Sequence, residues 1–275
     1  MKTLKRISSI LSGIALFVVA GIATWTSTSG CSSDNEIITP TSQIDPDRLL
    51  SVAIPDSVPS RIIDYYKGTT ISFNVRQHIP NWVAWKLTRT MLDGDIPREK
   101  NFYVDYKVAG CATLQDYRNS GYDRGHMAPA GDMKWDADAM HDSFYLTNIC
   151  PQAKALNTGA WKNLEEKCRN WAKADSLLII ICGPVLTRPI LERIGNTGVA
   201  VPDSYFKVIL SPNAKPARGI AFIMPNGKVS GGLQKAAVSI DSVEALTGFN
   251  FFPDLDPTTE AIVESQCDFH LWSTL

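Results

Sequence analysis

Residues 121–129 read Gly-Tyr-Asp-Arg-Gly-His-Met-Ala-Pro, and residues 146–152 read Leu-Thr-Asn-Ile-Cys-Pro-Gln. His126 lies in the first stretch, Asn157 follows it after 31 residues, and Glu165 comes eight residues later. An imidazole near its ordinary pKa can accept a proton at neutral pH. Amide and carboxylate oxygens are ligands for a hard divalent cation. The segment therefore holds a candidate base and two candidate metal-binding side chains.

The residues after Asn157 have helical periodicity. An apolar face recurs at steps of three and four, which predicts a helix over residues 160–173; its members are Trp161, Leu164, Cys168 and Trp171. Eight residues along a helix rotate by about 800°, so Asn157 and Glu165 are expected within roughly 80° of each other. Both side chains can then face the same cavity.

Outside this segment, short strand-like runs alternate with loops, and one further helix is predicted over residues 240–247. Residues 177–186 are long and apolar enough for a central strand. The pattern lacks regular alternation of strands and helices, which predicts an α+β domain with a mainly antiparallel sheet flanked by helices. The other predicted strands cover residues 70–76, 81–88, 143–149, 205–210 and 219–224.

The combination of Asp123-Arg124-Gly125-His126, the later Asn157 and then Glu165 resembles the DNA/RNA non-specific endonuclease family, which includes secreted bacterial nucleases and mitochondrial endonuclease G. The resemblance covers about residues 60–270. It implies a β-hairpin followed by a helix around one metal ion, a ββα-metal unit embedded in a larger antiparallel sheet. His126 is expected on the first strand, and Asn157 is expected at the entry to the helix.

The resemblance also assigns roles to the residues. It implies that His126 is the general base that activates water, that Asn157 ligates the metal directly, and that Glu165 holds the water shell of the metal. Mg²⁺ fits these oxygen donors better than zinc does, with Mn²⁺ as a substitute. The ion would stabilise the phosphorane and the leaving 3′-oxygen during phosphodiester hydrolysis of DNA and RNA with little sequence preference.

Three further residues belong to the candidate catalytic set. Arg124 and Arg98 can bind phosphate oxygens through the forked guanidinium, with pairing to a carboxylate as the alternative for Arg124. Asn148 matches a family asparagine near the site, for which an orienting role is the alternative to a catalytic one. Asp123 is predicted to brace the turn.

The composition is that of an ordinary folded protein, with 44% hydrophobic and 20% charged residues. The formal net charge is −1, so no overall positive charge points to a nucleic-acid partner. A local cationic groove on a neutral protein remains compatible with such a partner. The near-neutral charge slightly favours a narrower alternative, a phosphodiesterase of nucleotides or short oligonucleotides. An inactive surface-binding lipoprotein is the second alternative.

Residues 1–30 are predicted to be an export signal. A basic start at residues 2–6 is followed by an apolar stretch that leads to Cys31. This order resembles a bacterial lipoprotein signal with Cys31 as the lipidated residue, although Thr28 stands where such signals usually carry Leu. Soluble secretion and an uncleaved signal anchor are the alternatives. All three place the body outside the cytoplasm, and a membrane contact is expected only through that anchor.

Two segments follow the export signal. Residues 31–55 are rich in Ser, Thr, Pro and Asp and are predicted to be a flexible tether. Residues 56–275 are predicted to be the endonuclease domain. Dimers occur in the family that the chain resembles, so a homodimer is compatible with the sequence, which identifies no interface.

Besides Cys31 the chain has five cysteines, at positions 111, 150, 168, 182 and 267. Cys182 lies in an apolar run and is predicted to be a free thiol, while the other four are able to form up to two disulfides in an oxidising compartment. No pair has the close spacing of a structural zinc site.

Overall fold

The structure is a computed structural model that describes residues 45–187 and 189–273. A seven-stranded, antiparallel sheet with the order β12-β11-β10-β7-β4-β3-β2 forms its centre. The strands of this sheet are β2 (Arg61–Ile63), β3 (Thr70–Asn74), β4 (Ile79–Thr88), β7 (Leu177–Pro184), β10 (Ser204–Ser211), β11 (Arg218–Pro225) and β12 (Ala237–Val238).

Three two-stranded pairs accompany the sheet: β1 (Val52–Ala53) with β13 (Asn250–Phe251), β5 (Asp123–His126) with β6 (Ile149–Gln152), and β8 (Glu192–Ile194) with β9 (Val199–Val201). The helices are α1 (Leu114–Tyr117), α2 (Ala137–Asp142), α3 (Lys162–Asp175), α4 (Gly232–Ala236), α5 (Ile240–Thr247), α6 (Pro257–Ser265) and α7 (His270–Ser273). The mixture confirms the α+β prediction. Among the described helices, none is long and apolar enough to cross a membrane.

Both faces of the central sheet are buried, and β7 is buried along its whole length. On one face, β4 and β7 pack against α3 through Trp85, Ile180 and Trp171. On the other face, Ile181 of β7 belongs to a second apolar cluster, in which α5 and α6 pack mainly on β11 through Val243 and Val263. Because successive strand residues point to opposite faces, a strand covered on both sides is apolar throughout, as in Leu177–Ile181.

The β5–β6 hairpin and α3 form the predicted ββα unit. Hydrogen bonds join the hairpin to the main sheet. The Tyr205 hydroxyl on β10 donates to the Pro151 carbonyl at 2.7 Å, and the Cys182 thiol on β7 donates to the Met127 carbonyl at 3.3 Å. These bonds fix the hairpin over the centre of the sheet.

The strand predicted over residues 143–149 is wrong in its first six residues. They form the turn after α2 and a short 3₁₀ helix at Leu146–Asn148, and β6 begins only at Ile149. The Asn148 side chain donates to the Ser143 carbonyl at 2.8 Å, which closes this turn. Phe144 and Leu146 are buried by the turn itself, so their alternation did not need a strand.

The entry to the predicted helix also differs from expectation. A π-helical turn covers Leu156–Trp161, and the regular α-helix begins at Lys162. Gly159 interrupts the helical dihedral angles with φ −106° and ψ −113°. Asn157 therefore lies in a widened turn before α3, as turns of this kind often do at functional sites.

Residues 45–55 do not belong to a flexible tether. Arg48–Leu50 form a 3₁₀ turn whose Leu49 is fully buried, and Val52–Ala53 pair with β13. The apolar side chains of this short stretch pack against β4, β7 and β13, and this overrides its polar composition. The predicted export signal at residues 1–30 and the start of the tether lie outside the described residues.

None of the five cysteines within the described residues forms a disulfide. The prediction that Cys182 is a free thiol is confirmed. The other four cysteines, for which up to two disulfides were expected to be possible, are free as well. Cys111, Cys150 and Cys168 are buried in the apolar core, where they pack as small hydrophobic side chains, whereas Cys267 is exposed.

Candidate active site

His126 is the last residue of β5 and pairs with Ile149 of β6. Gly125 before it has no room for a side chain, because a Cβ atom there would overlap the side chain of Gln152. The Trp161 indole donates to the His126 carbonyl at 3.2 Å and links the hairpin to the start of α3. Strand pairing and this bond together fix the backbone of the candidate base.

The imidazole of His126 is only 7% exposed and packs with Phe102 and Phe144, whose own ring centroids are 5.0 Å apart. Its ring centroid is 5.3 Å from that of Phe102 and 4.8 Å from that of Phe144. Burial, followed by the charges of Arg98 and Arg124, lowers the pKa of His126 to about 3. The imidazole is therefore uncharged at neutral pH. Its Nε2 atom is buried and has no hydrogen-bond partner.

Arg98 and Arg124 each lie over one of these two phenylalanine rings. The Arg98 guanidinium carbon is 5.1 Å from the Phe144 ring centroid, and that of Arg124 is 4.4 Å from the Phe102 centroid. Both arginines are exposed, and neither forms an ion pair with any residue that the structure describes. Their charges are thus available to an anion beside His126.

Asn148 is buried under the hairpin, with 1% exposure. Its amide accepts from the Ala128 nitrogen at 2.9 Å and donates to the Ala128 carbonyl at 2.9 Å. With the further bond to Ser143, the amide is fully used on the backbone. This geometry supports the orienting role for Asn148, because its amide is not left for a substrate.

Asn157 is partly buried and faces β5. Its amide nitrogen donates to the Asp123 carboxylate at 3.0 Å, which leaves the amide oxygen for another ligand. Asp123 therefore does not pair with Arg124. It braces the widened turn before α3, and in doing so it orients Asn157.

Glu165 lies one helical turn beyond Trp161 on α3 and next to a buried group of charges. Burial raises the pKa of Glu165 to about 7; Lys207 opposes the rise and Asp132 adds to it. Asp132 accepts from Arg169 at 2.9 Å and from the Trp85 indole at 3.1 Å. No residue in the described part of the chain forms a hydrogen bond with the Glu165 carboxylate.

Lys207 is a buried amine that completes this group. It is 1% exposed, and its Nζ lies 4.3 Å from the Trp161 ring centroid and 5.0 Å from that of Trp85. Its nitrogen has no hydrogen-bond partner. The two indole faces thus take the place of hydrogen-bonding partners for the ammonium group.

Sequence reasoning missed Asp132, Arg169, Lys207 and Phe102. Arg169 was detectable, because it lies four residues after Glu165 and shares its face of the helix. Lys207 interrupts the apolar run of β10, where a charged residue is unusual in a buried strand. Asp132 and Phe102 lie in short irregular segments and give no comparable signal.

A groove of about 480 Å³ adjoins β5 on the side of Arg124. It is lined by polar and basic side chains, among them Arg118 and Gln115, and by the ring of Tyr122. The groove is open to solvent, so an extended anionic chain can enter it and meet Arg124.

A sequence model of the DNA/RNA non-specific endonuclease family matches residues 48–258, which include every candidate site residue. The chain belongs to the DNA/RNA non-specific endonuclease family. The match begins before the boundary that we predicted at residue 56, in agreement with the buried turn at Arg48–Leu50.

Relatives in the endonuclease family come from animals and bacteria. The chain is 36% identical over 208 residues to the mitochondrial nuclease EXOG of Danio rerio, covering 70% of this chain and 61% of that protein. It is 31% identical over 262 residues to a nuclease of a Nostoc species, covering 87% of this chain and 93% of that protein. The chain spans about three fifths of the length of the EXOG relatives that it matches.

The fold agrees with that of a solved family structure. The crystal structure of an EndoG/EndoGI complex, described as showing the mechanism of EndoG inhibition, matches with a TM-score of 0.69 and 27% identity. The match covers 76% of this chain and 92% of that chain. The ββα unit and the central sheet thus belong to a fold found in the endonuclease family.

Proposed function

We propose that this chain is a metal-dependent endonuclease that hydrolyses phosphodiester bonds of DNA and RNA with little sequence preference. The observation that carries the proposal is a buried imidazole, uncharged at neutral pH, near two exposed arginines that have no carboxylate partner among the described residues. A base beside two unpaired cations is the arrangement that hydrolysis of a phosphodiester requires. Membership of the endonuclease family supports the same reaction.

His126 acts as the general base in this proposal. The lowered pKa keeps the imidazole neutral in the free protein, and a phosphate bound by the two arginines would offset their charges and make the imidazole a stronger base. Because Nε2 is enclosed by protein, water approaches the opposite nitrogen, Nδ1. The fixed backbone of β5 and the two phenylalanine rings hold the imidazole in one orientation.

Arg98 and Arg124 bind the phosphate. A guanidinium donates two parallel hydrogen bonds to phosphate oxygens and keeps its charge at every relevant pH. Both arginines are close enough for their charges to act on the imidazole, so a phosphate that they bind lies next to the water that His126 activates. They also stabilise the negative charge that develops on the non-bridging oxygens.

The residues present fit a hard divalent cation. Asn157 offers an amide oxygen that is oriented by the bond from its nitrogen to Asp123. Glu165 offers a carboxylate without a protein hydrogen bond, and the burial that raises its pKa would be offset by a nearby positive charge. Oxygen donors of this kind match Mg²⁺, with Mn²⁺ as a substitute.

Asn157 would hold the ion directly, and Glu165 would hold it through water. When bound, the ion supplies positive charge to the phosphorane and to the leaving 3′-oxygen. The positive charges of Lys207 and Arg169 favour the ionised form of Glu165, which is the form that such an ion needs.

Low sequence preference follows from what the site offers. The exposed side chains around His126 are arginines, which contact phosphates and carry no base information in that role. The groove beside Arg124 holds Tyr122, whose ring can stack on any base. The proposed substrates are therefore DNA and RNA alike.

The experiment is cleavage of plasmid DNA and total RNA by the purified chain and by His126→Ala, each with Mg²⁺ and with EDTA. We expect both polymers to be degraded only with metal and the variant to lose about 10²- to 10⁴-fold in rate. Tyr106→Ala is a matched control, since this side chain is 93% exposed and is expected to leave the rate unchanged.

Two other outcomes would change the assignment. If the wild type leaves polymers intact but splits a small phosphodiester, the narrower phosphodiesterase is correct. If it cleaves neither substrate with Mg²⁺ or Mn²⁺ and still binds DNA, the chain is a binding protein of the same fold.

We also propose that the protein is exported and anchored by a lipid on Cys31, at the bacterial envelope or cell surface. The support is the order of charge, apolar stretch and cysteine in residues 1–31. Metabolic labelling with a fatty-acid analogue tests it: wild type should be labelled and Cys31→Ser should not. A homodimer is compatible with the family, and light scattering of the purified chain measures it.

A further inference from the structure

Three carboxylates converge on the face of the sheet opposite α3. Asp241 and Glu244 are three residues apart on α5, where such spacing places side chains on one side of a helix. Glu264 comes from the end of α6. One oxygen from each of the three lies within 4.8 Å of the others. The group is formed by two different helices, so it depends on how α5 packs on α6.

Two of the three carboxylates are held by the fold. Glu244 accepts a hydrogen bond from the Phe251 nitrogen at 2.8 Å, which orients it toward the group. Glu264 is only 6% exposed, and its Oε1 is buried without any hydrogen-bond partner. Asp241 is exposed and leaves one side of the group open to solvent.

Without a bound cation, burial and the neighbouring negative charges destabilise the ionised form of Glu264. Burial raises the pKa of Glu264 to about 8, and the carboxylates of Glu244, Glu260 and Asp241 add to the rise. A buried carboxylate without a hydrogen bond loses its hydration and receives nothing in return. A cation placed among the three oxygens would remove this cost.

We propose that Asp241, Glu244 and Glu264 bind one Ca²⁺ ion, at a site separate from the candidate active site. Ca²⁺ takes oxygen ligands at about 2.3–2.6 Å, so it fits between oxygens up to about 5 Å apart. Mg²⁺ requires about 2.0–2.1 Å and gives up its water reluctantly, which makes it the poorer occupant. Water on the open side, at Asp241, completes the roughly six to eight ligands that Ca²⁺ takes.

The bound ion would join α5 to α6. These two helices cover β11 and form much of one face of the core through Ile240, Val243 and Val263. The site therefore stabilises the fold and takes no part in catalysis.

The test is thermal unfolding of the full chain after removal of metal with EDTA, followed by addition of Ca²⁺ alone. At a concentration about 100 times the Kd, Ca²⁺ should raise the Tm by roughly 5–10 °C. Calorimetric titration should show one ion bound at this site. Mg²⁺ at the same concentration should give a smaller rise.

Four variants assign the effect of Ca²⁺ to these three carboxylates. Glu264→Gln and Asp241→Asn should lose the rise in Tm with Ca²⁺, and the exposed Asp241 serves if the buried substitution prevents folding. Glu260→Gln removes the same charge from α6 outside the convergent group, so it should keep the rise. Asn157→Ala should keep it as well, because it alters only the candidate active site.

The proposal is wrong if Ca²⁺ does not move the Tm of the wild type, or if Asp241→Asn and Glu264→Gln respond as the wild type does. If the wild-type Tm does not change with Ca²⁺ but rises as the pH is lowered below about 8, the three carboxylates share a proton instead of binding an ion. Unchanged Mg²⁺-dependent cleavage by Asp241→Asn is expected, so the result does not depend on the proposed nuclease function.

Discussion

Replacing Glu165 by Gln removes a carboxylate whose ionised form is destabilised by burial. The pKa of Glu165 is raised from 4.5 to about 7 in the folded chain. The stability that this group contributes is therefore fully present below about pH 4.5 and is lost as the pH rises through about 7. Each pKa unit corresponds to about 1.4 kcal/mol, so the loss is about 3 kcal/mol.

Urea unfolding in EDTA, followed by tryptophan fluorescence, measures this quantity. The free energy of unfolding of Glu165→Gln minus that of the wild type should increase by about 3 kcal/mol between about pH 4.5 and pH 8. Glu166→Gln is the matched control on the same helix. Its side chain is 54% exposed, and the ion pair with Lys162 that it would remove contributes at most about 0.5 kcal/mol at either pH.

A difference between Glu165→Gln and the wild type that does not change with pH would refute the reasoning, because it would mean that the carboxylate is fully solvated when ionised. The same experiment with Mg²⁺ examines the metal site. The ion should stabilise the wild type at about pH 8 and should stabilise Glu165→Gln much less.

Further predictions concern the charges around the site. Lys207→Met leaves the buried carboxylates short of one cation and should lower the free energy of unfolding by about 3–5 kcal/mol near pH 8, measured in urea. Asp123→Ala frees the amide of Asn157 and should weaken activation by Mg²⁺ by about 10- to 100-fold in a metal titration. Arg98 and Arg124 are each expected to contact one phosphate. Replacing either by Ala should therefore reduce the magnitude of the slope of log K against log salt concentration, measured for binding to duplex DNA, by about 0.9.

The candidate site could be proposed from the sequence because its residues occur close together along the chain. His126, Asn157 and Glu165 lie on a hairpin and the helix that follows it, and a hairpin–helix unit forms from local contacts. Five of the seven strands of the central sheet were predicted from their apolar or alternating residues, whereas β2 and β12, with three and two residues, are too short to give such a pattern. Their order in the sheet was not predicted, because strands such as β4 and β7 are about 90 residues apart in sequence.

The failures have physical causes of the same kind. Ser143–Asn148 alternates apolar and polar residues as a strand does, but Asn148 closes a turn that buries the same side chains. The polar composition of residues 45–55 concealed a turn that is held by distant residues of β13. The contact of Lys207 with the indole rings of Trp85 and Trp161 could not be predicted, because it forms only when β10 is brought next to them in the folded sheet.

The position of the charges explains how a chain without excess positive charge could bind the polyanionic substrate that we propose. The first thirty residues carry three positive charges and no negative ones, so the remaining chain has 24 Lys and Arg against 28 Asp and Glu. Among the carboxylates around the site, Asp123 accepts a hydrogen bond from Asn157, and Asp132 and Glu165 lie close to the charges of Arg169 and Lys207. Arg98 and Arg124 remain exposed at its entrance and unpaired. A phosphate that approaches therefore meets the arginines first, and the field at this distance depends on them more than on the net charge.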